Sequence, residues 1–183
     1  VPFATRRGTH AAAPFRTLLP IAACLLLLPT GTTPAWPQAA GAPAASADAV
    51  NAQEATALLR RAGRQWANGK KEDAVFWFYA GQLRFRAFLA AHPDLDPSGA
   101  PALFASLMES LGQPINAYAF GDISALIRTI DKVLTWDEAN PEPGLPPAAR
   151  QSARAGLIEL RDKVRIEAAA IRAEREAKGL ENR

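Results

Sequence analysis

The sequence predicts an all-α fold, an antiparallel helical bundle of about five helices, and three observations carry that expectation. From Ala49 onward apolar residues recur at steps of three and four, the period of an amphipathic helix. Helix-stopping chemistry divides this pattern at Asn68-Gly69, at His92-Pro93, at Gly112 and in the Pro-rich stretch ANPEPGLPP. The dense aromatic run AVFWFYAGQLRFRAFL is too long for a strand and lacks period-2 alternation.

The first helix carries the stripe Ala55, Leu58, Leu59, Ala62 and Trp66, and Asn68-Gly69 closes it because both residues tolerate the left-handed conformation. A second helix runs from near Lys71 to about Ala91, where His92-Pro93 ends it. Apolar residues cover most of its circumference, so it is predicted to be the central and most buried helix. A third fits Ala100 to Leu111, with Pro101 in the first turn, Gly112 past the end, and Leu103, Phe104, Leu107, Met108 and Leu111 on one face. The segment QPINAYAFG then reads as a connecting link. Asp122 is placed to cap a fourth helix, with Ile123, Leu126, Ile127, Ile130, Val133 and Leu134 on one face. Pro147 opens a long C-terminal helix that runs to Lys178 and stops at Gly179. Such a helix is about 48 Å long at 1.5 Å per residue, so its end beyond Ile171 is expected to project. The pairs Arg172–Glu176 and Glu174–Lys178 suit a solvated helix surface.

Charge and hydropathy divide the 183 residues unequally. Of 21 Lys and Arg, Arg6, Arg7 and Arg16 precede the uncharged run TLLPIAACLLLL, and all 18 Asp and Glu lie at or beyond Asp48. From Asp48 onward, 18 basic residues therefore balance 18 acidic ones. A neutral body lacks the phosphate-neutralising excess of a nucleic-acid binder, so no nucleic-acid partner is expected. The apolar run is too short to span a bilayer, which takes about 20 residues. Basic residues before an apolar centre, followed by small residues, are the pattern of a secretory signal. Residues 1–35 are accordingly assigned to a signal peptide, 36–49 to a disordered Pro/Ala-rich linker, and 50–183 to the α-helical domain. Ile21-Ala22-Ala23-Cys24 also resembles a bacterial lipoprotein box, which would make Cys24 the site of lipidation. The expected location is periplasmic or secreted, with an outer-membrane-anchored lipoprotein as the alternative. Membrane contact is expected only through an uncleaved signal or a lipid on Cys24. A body without cysteine has no thiol catalysis, no thiol redox chemistry and no Cys-ligated zinc.

Within the first two helices, Ala62 and Ala74 are small, Gly69 sits in the turn, Phe78 is aromatic, and Gly81 is small again. This pattern across residues 58–81 resembles one helix-turn-helix unit of the tetratricopeptide-repeat class, with Arg61 at an expected apolar position and the closing proline late, at Pro93. Small residues let antiparallel helices approach while aromatics fill the groove between units. No second copy follows at the 34-residue period, so a full solenoid is excluded. The resemblance implies a protein- or peptide-binding scaffold and transfers no catalytic residues.

No Gly-rich phosphate loop, nucleophile elbow or zinc-binding His-Glu pair is present, and His92 is the only histidine after His10. No catalytic residue, cofactor or metal is therefore assigned. His92-Pro93-Asp94-Leu95-Asp96 reads as a solvated turn, not a metal or acid-base cluster. Arg84 and Arg86 lie inside the aromatic helix, which makes them, with Asp122, a candidate buried ion pair or anion site. Asp131 and Asp137 are further carboxylates within that reading. Asn116, Tyr118 and Phe120 form a candidate partner contact, because aromatic anchors in a connecting segment either pack under the bundle or meet a partner. The function expected is that of an exported non-enzymatic helical protein acting by protein-protein binding, such as an immunity or inhibitor protein for a secreted effector. Its rival is a periplasmic enzyme with an Arg/carboxylate pocket.

Overall fold

A computed structural model describes residues 47–183. The predicted signal peptide, Cys24 and residues 36–46 of the predicted linker lie outside the described residues. The rest is all-α, as expected: α1 (Ala47–Ala67), α2 (Lys71–Ala91), α3 (Ala100–Ala119), α4 (Ile123–Ala139), α5 (Pro147–Ile166) and α6 (Ala168–Ala177). α1 opens ahead of the boundary drawn at residue 50. No described helix is long and apolar enough to cross a membrane.

α2 is the centre of the bundle and packs against α1, α3, α4 and α5. Its Phe78 and Phe85 are fully buried, together with Leu59 of α1, Ile115 of α3, and Leu126, Ile130 and Val133 of α4. The α1–α2 hairpin turns through Gly69, whose φ of 77° lies in the left-handed region that glycine adopts without a Cβ clash. The two helices come so close at Gly81 that a Cβ there would lie 2.7 Å from the Leu59 side chain. Arg61 lays its guanidinium over the Trp77 ring at 3.6 Å, so a charged residue covers apolar surface within this hairpin.

The third helix corrects the sequence reading. It does not stop at Leu111 but continues through Gly112 and Pro114 to Ala119, so the segment read as a link is helical. An internal proline costs a helix about 3 kcal/mol. Burying Ile115 completely returns about 1.5–3 kcal/mol. Burial of Ala119, close packing of Gly112 on Phe78, and a 3.0 Å hydrogen bond from the Tyr79 hydroxyl to Asn116 Oδ1 add to that. Tertiary packing outweighs the local breakers. Asp122 then caps α4, its Oδ1 accepting from the Ala125 backbone N–H at 2.9 Å.

The long last helix is also corrected. It bends at Glu167 (φ −91°, ψ 9°), while the flanking backbone hydrogen bonds from Glu167 to Lys163 and from Ile171 to Glu167 survive at 2.9 Å. The bend leaves Ile166 84% exposed and sets Ala168 and Ile171 against the core. Nor does the end project. The Arg183 backbone N–H donates to the Gly121 carbonyl at 2.6 Å and its guanidinium donates to the Tyr118 carbonyl at 2.7 Å, which fastens the tail to the α3–α4 turn.

Candidate functional site

The described residues form an ionic cluster where α2, α4 and α5 meet, and an apolar groove between α1 and α3. The cluster is built on Arg84, which α2 presents inward and leaves only 3% exposed. Its Nε lies 2.9 Å from Asp137 Oδ1, off the N–H direction, as an ion pair without a hydrogen bond. Its Nη2 donates to the Asn140 carbonyl, and its Nη1 lies 3.4 Å from Glu142. The other Asp137 oxygen accepts from Arg154 of α5 at 2.8 Å, and Arg154 also donates to the Leu134 carbonyl at 2.9 Å. Asp137 therefore joins two arginines from two helices. The Trp136 ring flanks Arg84, 4.9 Å from the guanidinium carbon.

Glu142 sits in the α4–α5 loop with a fully buried side chain whose carboxylate oxygens accept no hydrogen bond. Burial pushes its pKa above the ordinary value, and the Arg84 charge opposes that rise without cancelling it. Outside this pair lies a cavity of about 310 Å³, bordered by Asp137, Glu138, Glu142, Arg150, Gln151 and Arg154.

The remaining sequence-assigned residues disperse. Arg86 and Asp122 do not join Arg84. Arg86 is exposed, with its guanidinium 5.8 Å from the Phe104 ring, because a position two residues from Arg84 faces another side of the helix. Asp122 is committed to its cap, and Asp131 pairs with Arg161 at 2.9 Å. Asn116, Tyr118 and Phe120 are all half-buried. The Tyr118 hydroxyl donates to the Glu72 carboxylate, while its ring meets Trp66 edge-on at 5.9 Å and lies under the Arg183 guanidinium at 3.6 Å. That hydrogen bond holds the Glu72 carboxyl below its usual range and pushes the Tyr118 phenol up. The turn reading of residues 92–96 matches the geometry at Asp96, whose Oδ1 accepts from the Ser98 backbone and hydroxyl at 2.8 Å each. Among the described residues no three His, Cys, Asp or Glu side chains are grouped to hold a metal ion.

The groove was missed from sequence. α3 has Glu109 as its single charged residue, yet its only buried residues are Gly112, Ile115 and Ala119, all in its second half. In the first half Leu103 is 42% exposed, and Phe104, Leu107, Met108 and Leu111 are only partly covered. α1 and α3 run in the same direction beside α2, touching where Gly63 meets Leu111. Two open cavities of about 570 and 420 Å³ follow this seam, the first over Ala52, Thr56 and Leu103, the second over Gly63, Leu107 and Leu111. Arg60 and Arg64 border both. A count of charges along each helix would have flagged α3: a surface helix this poor in charge leaves apolar area in water. No family model, curated protein or solved structure matches the chain.

Proposed function

We propose that the chain is an exported, non-enzymatic helical protein that acts by binding another protein, and that it serves as an inhibitor or immunity protein toward a secreted effector. The observation carrying this reading is the first half of α3, whose apolar stripe of Leu103, Phe104, Leu107, Met108 and Leu111 stays partly exposed beside α1. Contiguous exposed apolar surface is what a protein interface uses. The signal-like N-terminal pattern and the repeat-like helical hairpin agree with it. The test is affinity capture from periplasmic extract with the full chain immobilised. A partner retained by the native protein and lost on Leu103→Asp is the expected result, since Leu103 is exposed and its replacement leaves the core intact. Equal retention by both proteins, or none by either, rejects the reading.

A second reading, a periplasmic enzyme, is favoured by one observation: a buried carboxyl of raised pKa, Glu142, borders a polar cavity with two arginines. It predicts turnover that Glu142→Gln abolishes. The binding reading predicts that this change leaves partner capture unaltered.

A further inference from the structure

Resting on the protein-binding reading, we infer that the α1–α3 groove takes an amphipathic helix with acidic residues flanking its apolar stripe, supplied by a different protein. The floor is aliphatic, formed by Leu103, Leu107 and Leu111. Arg60 and Arg64 stand on the α1 side, one helical turn apart, both exposed and without an ion pair among the described residues. No carboxylate borders either cavity. Two fixed positive charges beside an apolar trough select an apolar ligand with negative charges at the matching spacing. From Ala52 to Ala67 the trough is about 22 Å long at 1.5 Å per residue, the length of a helix of about four turns. The partner's acids therefore fall three or four residues apart, facing Arg60 and Arg64.

Charge also argues against an occupant from this chain itself. The chain's own apolar N-terminal segment contains no Asp or Glu before Asp48 and carries Arg6, Arg7 and Arg16, so it matches the trough in hydropathy and opposes it in sign.

The test uses the full chain and two synthetic helical peptides of about 15 residues with the same leucine stripe, one flanked by Glu and the other by Lys. Fluorescence anisotropy at low salt is expected to give at least about tenfold tighter binding of the Glu peptide, and high salt to erase that preference. Reversal by Arg60→Glu together with Arg64→Glu is expected to invert it, while Arg60→Gln with Arg64→Gln removes it without inversion. Both arginines are exposed, so circular dichroism should be unchanged, and the glutamine pair separates charge from folding if the glutamate pair unfolds. Equal binding of the two peptides, no binding of either, or insensitivity to the arginine changes overturns the inference. So does sedimentation showing that the chain fills the groove with a second copy and separates on charge reversal. A captured partner that ignores the arginine changes but is lost on Leu103→Asp leaves the protein-binding reading standing and removes only the acidic-helix assignment.

Discussion

Asp137 holds Arg84 through one carboxylate oxygen at 2.9 Å and Arg154 through the other at 2.8 Å, so a single acid on α4 ties α2 to α5. Arg84 carries the larger desolvation cost because its side chain is 3% exposed, against 27% for Arg154. The cluster is an internal brace, with its positive groups matched before any ligand arrives.

Removing that acid should therefore be expensive. Asp137→Ala leaves Arg84 buried with the Asn140 carbonyl and the more distant Glu142 as its remaining polar partners. Breaking one side of a buried pair costs about 3–5 kcal/mol, and the lower end applies here because Glu142 stays. Urea denaturation should show a lowered midpoint at constant slope. Arg154→Ala should cost less, since its partner Asp137 keeps Arg84.

Glu142 gives the domain a specific pH dependence. Its folded pKa is raised above the ordinary 4.5 by burial. The folded state then binds its proton more tightly than the unfolded state, so this group's contribution is fully present below the unfolded value. It is lost as pH rises through the folded one. Glu142→Gln should remove that slope. The stability difference between variant and native protein should move in the variant's favour as pH rises above 4.5, whatever constant offset the amide adds. A difference that stays flat over that rise, followed by urea midpoints, contradicts the buried-carboxyl assignment.

Two glycines in the helices should respond in opposite directions. At Gly81 an added Cβ meets the Leu59 side chain at 2.7 Å and its backbone nitrogen at 3.0 Å, so Gly81→Ala forces α1 and α2 apart. Overpacking of this kind costs about 1–3 kcal/mol. At Gly156 in α5 nothing lies within 4 Å of the added atom. Gly156→Ala should stabilise by up to about 1 kcal/mol through helix propensity alone. Thermal denaturation of the two variants checks both signs.

How much of this was legible in the sequence follows from where the information lies. The hairpin turn, the Asp122 cap and the Pro147 start depend on local backbone chemistry, so single residues announced them. The aromatic density of α2 announced its central place. The continuation of α3 past Gly112 and Pro114 was hidden, because it rests on Ile115 and Ala119 finding α2 and its neighbours in three dimensions. An arginine inside an apolar helix demands a carboxylate, and the sequence offers Asp137 as one of three, a choice only the packing of α2 on α4 resolves. Glu142 escaped notice because a Pro-rich loop suggests solvent, not a fully buried acid. The Glu167 bend has no Gly or Pro to mark it, and the return of the tail to Gly121 is a long-range backbone contact that no local pattern encodes.

At the α3–α4 junction, Tyr118 and Phe120 are either contact or packing residues, and stability separates the two roles. Both are half-buried and packed against the core; Tyr118 additionally hydrogen-bonds Glu72, stacks under Arg183 and meets Trp66. Truncating an aromatic in a core costs about 3–5 kcal/mol, and a half-buried one less. Tyr118→Ala with Phe120→Ala should therefore lower stability by several kcal/mol, read as a drop in thermal midpoint. Tyr118→Phe separates the hydroxyl from the ring. It should restore most of the midpoint while releasing Glu72, whose carboxyl pKa then rises toward its ordinary range because the hydroxyl that lowers it is gone. NMR titration of Glu72 reads that shift directly. A double-alanine protein that melts like the native chain, with Glu72 titrating unchanged in Tyr118→Phe, would mean the ring and its hydroxyl do not hold this junction.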